Sequence, residues 1–139
     1  MKSIFIIFLF SIYIMKDANT SLNLTIKNIK SDQGTIRILI FDKADGFPEE
    51  VSNAVKSLSI PVKDFAKSIV IADLPAGMYA ISLFHDEDND GKFKKNRIGL
   101  PSDAYGFSNN PILFFGPPSF LNCAFTVNST PVKVEIQLK

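Results

Sequence analysis

Tryptophan is missing from this chain, and cysteine and histidine occur once each. One thiol, Cys123, allows no internal disulfide, so the fold has to be held by its core alone. One imidazole, His85, excludes multi-histidine metal centres and leaves any nucleophile a single imidazole base. Without tryptophan, a glycan-binding surface lacks the ring that sugars most often stack on. An excess of one charge is also missing. Setting aside residues 1–20 removes Lys2, Lys16 and Asp17 from 15 basic and 14 acidic side chains, leaving 13 of each. That balance gives no electrostatic steering toward nucleic acid or an anionic membrane. G-x-S-x-G, H-E-x-x-H and a phosphate-cradling glycine loop are all absent. So are the helical stretches of about 10 to 15 residues that repeated βαβ crossovers require.

The longest apolar stretch stands near the start, from Ile4 to Met15 behind Lys2, interrupted only by Ser11. That run is too short to span a bilayer comfortably and sits where a secretory signal belongs. Residues 1–20 are therefore read as a signal peptide, cut after Ala18-Asn19-Thr20, and residues 21–139 as one domain. An uncleaved N-terminal anchor is the rival reading. A lipoprotein is disfavoured because no cysteine ends the run. The expected location is secreted or periplasmic, in the cell envelope.

Strand patterns fill most of the remainder. SLNLTIK alternates Leu22, Leu24 and Ile26 against polar residues, and TIRILIFD puts Ile36, Ile38 and Ile40 on one face. With Ser31-Asp32-Gln33-Gly34 between them, the two read as a hairpin. PVKVEIQLK alternates Val132, Val134, Ile136 and Leu138 with Lys133, Glu135, Gln137 and Lys139, as a half-solvated antiparallel strand requires, and is expected to pair with Ala124 to Val127. KSIVIADL and MYAISLFHD flank Pro75-Ala76-Gly77, with Tyr79, Ile81, Leu83 and His85 sharing a face. A short helix or turn after Pro48 should lead into an extended SLSIPVK. These short strands with polar turns predict an all-β fold, an antiparallel β-sandwich of about seven strands of immunoglobulin or prealbumin type. Cys123 is expected to be buried and inert in a strand interior.

From Lys94 to Phe120 alternation gives way to a long loop rich in glycine, proline and aromatics. Phe107, Phe114, Phe115 and Phe120 either close one end of the sandwich as a lid or form an exposed rim with Tyr105. Tyr105, Phe107, Asn109 and Asn110 are the candidate ligand-binding residues of this loop.

The stretch LFHDEDNDGKF sets a D-x-D-x-D-G pattern against a strand. Alternate residues of a tight loop can turn their oxygens inward together, as calcium requires. Asp86, Asp88 and Asp90, with the Lys92 carbonyl, are the candidate calcium ligands, and Gly91 permits the turn. An EF-hand is excluded, because its twelfth position falls on Arg97 and a strand precedes the loop. A further ligand would have to come from Asp42, Asp45, Asn96 or Asp103. The plain alternative is a hairpin turn of solvated acids, partly neutralised by Lys92, Lys94, Lys95 and Arg97.

LPAGMYAISLFHDEDNDGK, GLPSDAYGFSNN and FGPPSF together resemble the signature of a bacterial domain-of-unknown-function family, number two-one-four-one. The resemblance covers Leu74 to Phe120 closely and the flanking strands loosely. It implies a small exported β-sandwich and transfers no catalytic residue. The family pattern resembles H-D-x-N-x-D-G-K-x-D; here Asp88 takes the asparagine place and Lys94 the later aspartate. Leu74 to Tyr79 also resembles the strand entry of transthyretin-like sandwiches, at the level of fold alone.

The function expected from these features is a non-enzymatic binding or structural module of the envelope, calcium-stabilised if the acidic loop is filled. Its partner would be a protein, peptide or glycan of the envelope, with no nucleic acid and no membrane after signal removal. The alternative is a small hydrolase or isomerase using His85, Asp86 and Tyr105. His85 and Asp86 are neighbours in one strand and so point to opposite faces, which makes them a poor dyad.

Overall fold

A computed structural model describes residues 20–65 and 68–139. The expected signal peptide lies outside the described residues except for Thr20, which opens the first strand. Among these residues, eight strands form two sheets. β1 (Thr20–Lys27) lies between β4 (Ser68–Leu74) and β8 (Val132–Gln137). The larger sheet runs β3 (Lys56–Pro61), β2 (Thr35–Phe41), β5 (Gly77–Asp86), β6 (Tyr105–Phe107), with β7 (Phe125–Val127) beside the start of β5. All pairings are antiparallel except β1 with β8. The all-β sandwich expected from the strand patterns is the architecture found.

The core is the apolar parity of those strands brought face to face. Leu22, Leu24 and Ile26 of β1 and Ile136 of β8 meet Ile36, Ile38 and Ile40 of β2 and Tyr79, Ile81 and Leu83 of β5. Each such aliphatic side chain removed from water contributes about 1.5–3 kcal/mol.

Two expected hairpins are not formed. β1 and β2 lie in opposite sheets, as do β7 and β8. Alternation records that a strand has one buried face; it is blind to whether its sequence neighbour lies beside it or across the core. Gly34 makes the first crossing possible. Its φ is +77°, and a Cβ there would stand 2.2 Å from the Asp86 carbonyl oxygen. The C-terminus closes one side of the sandwich: the Leu138 amide donates to the Lys27 carbonyl, and Lys139 exchanges bonds with Tyr105 of the other sheet.

The expected turn after Pro48 is a short 3-10 segment at Val51–Asn53, leading into β3. The long loop is interrupted by β6, and it ends in a four-residue helix, α1 (Phe120–Cys123), capped by the Ser119 hydroxyl at the Asn122 amide. Cys123 is fully buried, but in this helix and not in a strand. Against the outer face of the larger sheet, Phe120 and Cys123 join Phe41, Ala80 and Phe47 in a second, smaller core.

Candidate functional site

The smaller core covers only one end of that outer face. The remainder is a groove of about 560 Å³, open to solvent. Its floor comes from alternate residues of the strands: Arg37 and Leu39 of β2, Ser57 and Ser59 of β3, Ser82 and Phe84 of β5. One wall is Pro48 and Glu49; the other is Lys92, Phe93 and Lys95, with Tyr105 and Phe107 of β6. Ser82 holds the first wall in place, its hydroxyl donating to the Pro48 carbonyl at 2.6 Å.

Four aromatic rings line the groove in a row, Phe84, Phe93, Tyr105 and Phe107, and the row continues to Phe47 of the smaller core. Centroid separations are 5.3 Å for Phe84–Phe93, 6.0 Å for Phe93–Tyr105, 5.8 Å for Tyr105–Phe107 and 6.2 Å for Phe107–Phe47. These tilted and edge-on contacts lie in the range where aromatic pairs attract. At the far side Lys95 reaches over Phe93 to Glu49, Nζ to Oε1 2.9 Å, and marks off a smaller annex of about 260 Å³. Leu100, Leu113, Phe114 and Pro117 line this annex. The aromatic loop is thus both lid and rim. Phe107 is half-buried and Phe120 buried, while Phe114 and Phe115 are 82% and 99% exposed.

The acidic loop stands at the edge of the groove, with Gly91 and Lys92 in its lining. Asp86, at the end of β5, is 1% exposed. Its carboxylate accepts from Arg37 Nε at 2.6 Å, the Gly91 amide at 2.9 Å and the Asp90 amide at 3.2 Å. The loop is further tied to β2 by Thr35, whose hydroxyl donates to Asn89. Asp86, Asp88 and Asp90 offer carboxylate oxygens within 4.8 Å of one another. The Lys94 ammonium bonds to Asp88 and lies 3.6 Å from Asp90. That bond holds the Asp88 carboxyl below its ordinary range and the Lys94 ammonium above its own. Of Asp42, Asp45, Asn96 and Asp103, Asp103 is tied to the acidic loop, accepting from the Lys94 amide. Asp45 is bonded to Asn53, and Asn96 caps its own turn at Ile98 and Leu100.

His85 faces the other way. It is 1% exposed on the core side of β5, and its Nε2–H donates to the Gln33 carbonyl at 2.7 Å. It lines neither the groove nor the annex. Among His85, Asp86 and Tyr105, only Tyr105 does. Asn109 and Asn110 act as staples. Asn109 donates to the Ala124 carbonyl, and Asn110 both donates to the Glu135 carbonyl and accepts from the Gln137 amide. Ser108 between them is fully buried, its hydroxyl donating to the Cys123 carbonyl and accepting from the Ile81 amide. Burial pushes the Cys123 thiol up to about 11.

Arg37, Ser57, Ser59, Ser82, Phe84 and Phe93 escaped the reading of the sequence as site residues. One signal was present. On the side of β5 away from the core stand Ala80, Ser82, Phe84 and Asp86, where a solvated strand such as β8 carries Lys133, Glu135 and Gln137. A strand short of charge on its second face has that face covered or in use.

Residues 24–135 match the model of a family described as "Uncharacterized protein conserved in bacteria (DUF2141)". No curated protein and no solved structure matches the chain.

Proposed function

The chain belongs to this bacterial family, and from that premise and the groove's geometry we propose an exported, non-enzymatic binding module of the cell envelope. It holds a peptide or glycan on the outer face of its five-stranded sheet. The observation that carries this reading is the groove itself: about 560 Å³, with a row of aromatic rings on one side and serine hydroxyls on its floor. Ligand sites are concavities of this size, apolar in the main with a few placed polar groups. Export is supported by the basic start and apolar run ahead of Thr20. The burial of His85 away from the groove supports binding over hydrolysis or isomerisation.

Melting temperatures measured against a panel of peptidoglycan fragments, oligosaccharides and short peptides test the reading. A ligand that stabilises the protein should lose its effect in Ser57→Trp, which fills the groove from an exposed position on β3. Stabilisation that survives the substitution places binding elsewhere and overturns the reading, and chemical conversion of the compound would return the enzyme alternative.

The reading has a calcium arm, supported by the convergence of Asp86, Asp88 and Asp90. An ion there replaces the Lys94 ammonium as counter-charge, with the Lys92 carbonyl as a further ligand. Extracellular calcium modules work at about 10⁻⁴–10⁻³ M. Millimolar calcium should therefore raise the melting temperature, and Lys94→Met should enlarge the rise. Identical melting in calcium and in chelator, for both proteins, removes this arm.

A further inference from the structure

The long loop leaves large apolar side chains in water at or next to residues of the annex: Ile98 precedes Gly99, Ile112 precedes Leu113, and Phe115 stands between Phe114 and Gly116. Phe115 is 99% exposed, Phe114 82%, Ile98 79%, Ile112 78% and Leu100 56%. Leu100 and Phe114 also line the annex, so the unpaired rings and the cavity lie side by side on one surface. We propose that this surface is an interface between two copies of this chain, related by a two-fold axis, with Phe115 of each copy seated in the annex of the other.

Three observations carry this assignment. The first is fit: a cavity of about 150 Å³ is enough to hold a benzene ring, and the annex offers about 260 Å³ between Leu100, Leu113, Phe114 and the rings of Phe93 and Tyr105. The second is placement. A plug and a socket adjacent on one face can be satisfied reciprocally by two-fold symmetry, which closes the assembly at a dimer. The third is area. The five exposed side chains offer on the order of 600 Å² per copy, close to the roughly 800 Å² per partner of a standard interface once a polar rim is added. Charge does not oppose the contact: the 13 basic and 13 acidic side chains after residue 20 balance, and the one charged pair on the annex wall, Lys95 with Glu49, is mutually neutralised. The main groove shares five lining residues with the annex, but its floor of β2, β3 and β5 residues is its own, and the inference does not depend on what the groove binds.

Sedimentation equilibrium of the purified protein is the first test. A monomer–dimer equilibrium in the micromolar range is expected, and Phe115→Ser should weaken it at least about 30-fold. Because Phe115 touches solvent almost entirely, the variant should fold with an unchanged far-ultraviolet spectrum. Mixing a Leu100→Cys chain with a Phe115→Cys chain under oxidising conditions should give the mixed disulfide ahead of either homodimer. Cys123, fully buried, does not compete. A wild-type protein that stays monomeric at several hundred micromolar overturns the proposal, as does a dimer that survives Phe114→Ser/Phe115→Ser or cross-linking confined to like pairs. A monomer that sediments with phosphatidylglycerol vesicles and loses that property in Phe115→Ser also overturns it, assigning the patch to a lipid surface.

Discussion

Asp86→Ala should lower the melting temperature by about 10 °C, and the loss should be present in chelator as well as in calcium. The Asp86 carboxylate is almost wholly buried and accepts one charge-assisted bond from Arg37 and two from the Gly91 and Asp90 amides. A hydrogen bond to a charged partner contributes about 1.5–3 kcal/mol. Gly91 and Asp90 are exposed, so water recovers their amides and each adds only about 0.5 kcal/mol. Arg37 is 28% exposed, which lets its orphaned guanidinium turn partly to solvent and keeps the cost below that of breaking a fully buried pair. The total is about 3 kcal/mol, and for a domain of this size each kcal/mol moves the midpoint by about 4 °C. Asp86→Asn keeps the shape and one accepting oxygen and should cost about half as much. Thermal and urea unfolding followed by circular dichroism give both numbers, and a cycle with Arg37→Met should return a coupling of about 1–2 kcal/mol. A fall of less than about 3 °C for the alanine variant would refute the clasp. A fall seen only in calcium would make Asp86 an ion ligand instead.

Gly106→Ala should destabilise by about 1–3 kcal/mol, because its Cβ would stand 2.5 Å from Ile136 Cγ2 and 3.0 Å from the Gln137 carbonyl oxygen; urea midpoints equal to wild type would show that β8 can yield. Cys123 should resist thiol reagents at pH 8 in the folded protein and react fully in urea, since burial both shields the thiol and pushes it up to about 11; rapid labelling of the native protein would contradict its place in the smaller core. The Lys94–Asp88 pair stabilises at intermediate pH only. With the Asp88 carboxyl lowered, its share is complete above the ordinary aspartate value near 3.9 and is lost as pH falls through the folded value. With Lys94 raised, its share is complete below about 10.4 and is lost as pH rises through the folded value. Both groups are exposed, so the Tm difference between wild type and Lys94→Met should be small and should vanish in high salt; a difference that persists in 1 M salt would mean another cause.

Fold class was legible because burial on one face leaves a period of two in β1, β2 and β8, and nothing else in this chain competes with it. Pairing was not legible. Leu22, Leu24 and Ile26 would alternate identically whether β2 lay beside β1 or opposite it, and only the backbone of Gly34 against the end of β5 records the crossing. Opposed directions of His85 and Asp86 followed from strand parity and hold in the structure, where His85 bonds to the Gln33 carbonyl and Asp86 to Arg37 and the Gly91 amide. The acidic loop and the aromatic loop do meet at one place, through Phe93 against Tyr105 and the Lys94 amide against Asp103. The groove between them stayed hidden because its floor is drawn from β2, β3 and β5, whose adjacency depends on the pairing.

The same loops that build the groove also explain why this sheet tolerates so apolar an outer face. A strand with one solvated face normally presents polar and charged side chains to water on the side away from the core, and β8, at the edge of the smaller sheet, does so with Lys133, Glu135 and Gln137. On β5 that side carries Ala80, Ser82 and Phe84, which would be a liability if left bare. Ala80 is covered by Phe120 and Phe47, and Phe84 is covered on one side by Phe93. Both covers are held by backbone-directed bonds: Ser82 to Pro48 on one wall, Asp86 to Gly91 and Asp103 to Lys94 on the other. Ser82, Asp86 and Asp103 therefore hold two loops in position, and the side chains those loops bring to the groove wall include the rings of Phe93 and Tyr105. That division of labour is why Asp86, Asn109 and Asn110 should report on stability in mutagenesis, while Tyr105, Phe93 and Phe115 should report on binding.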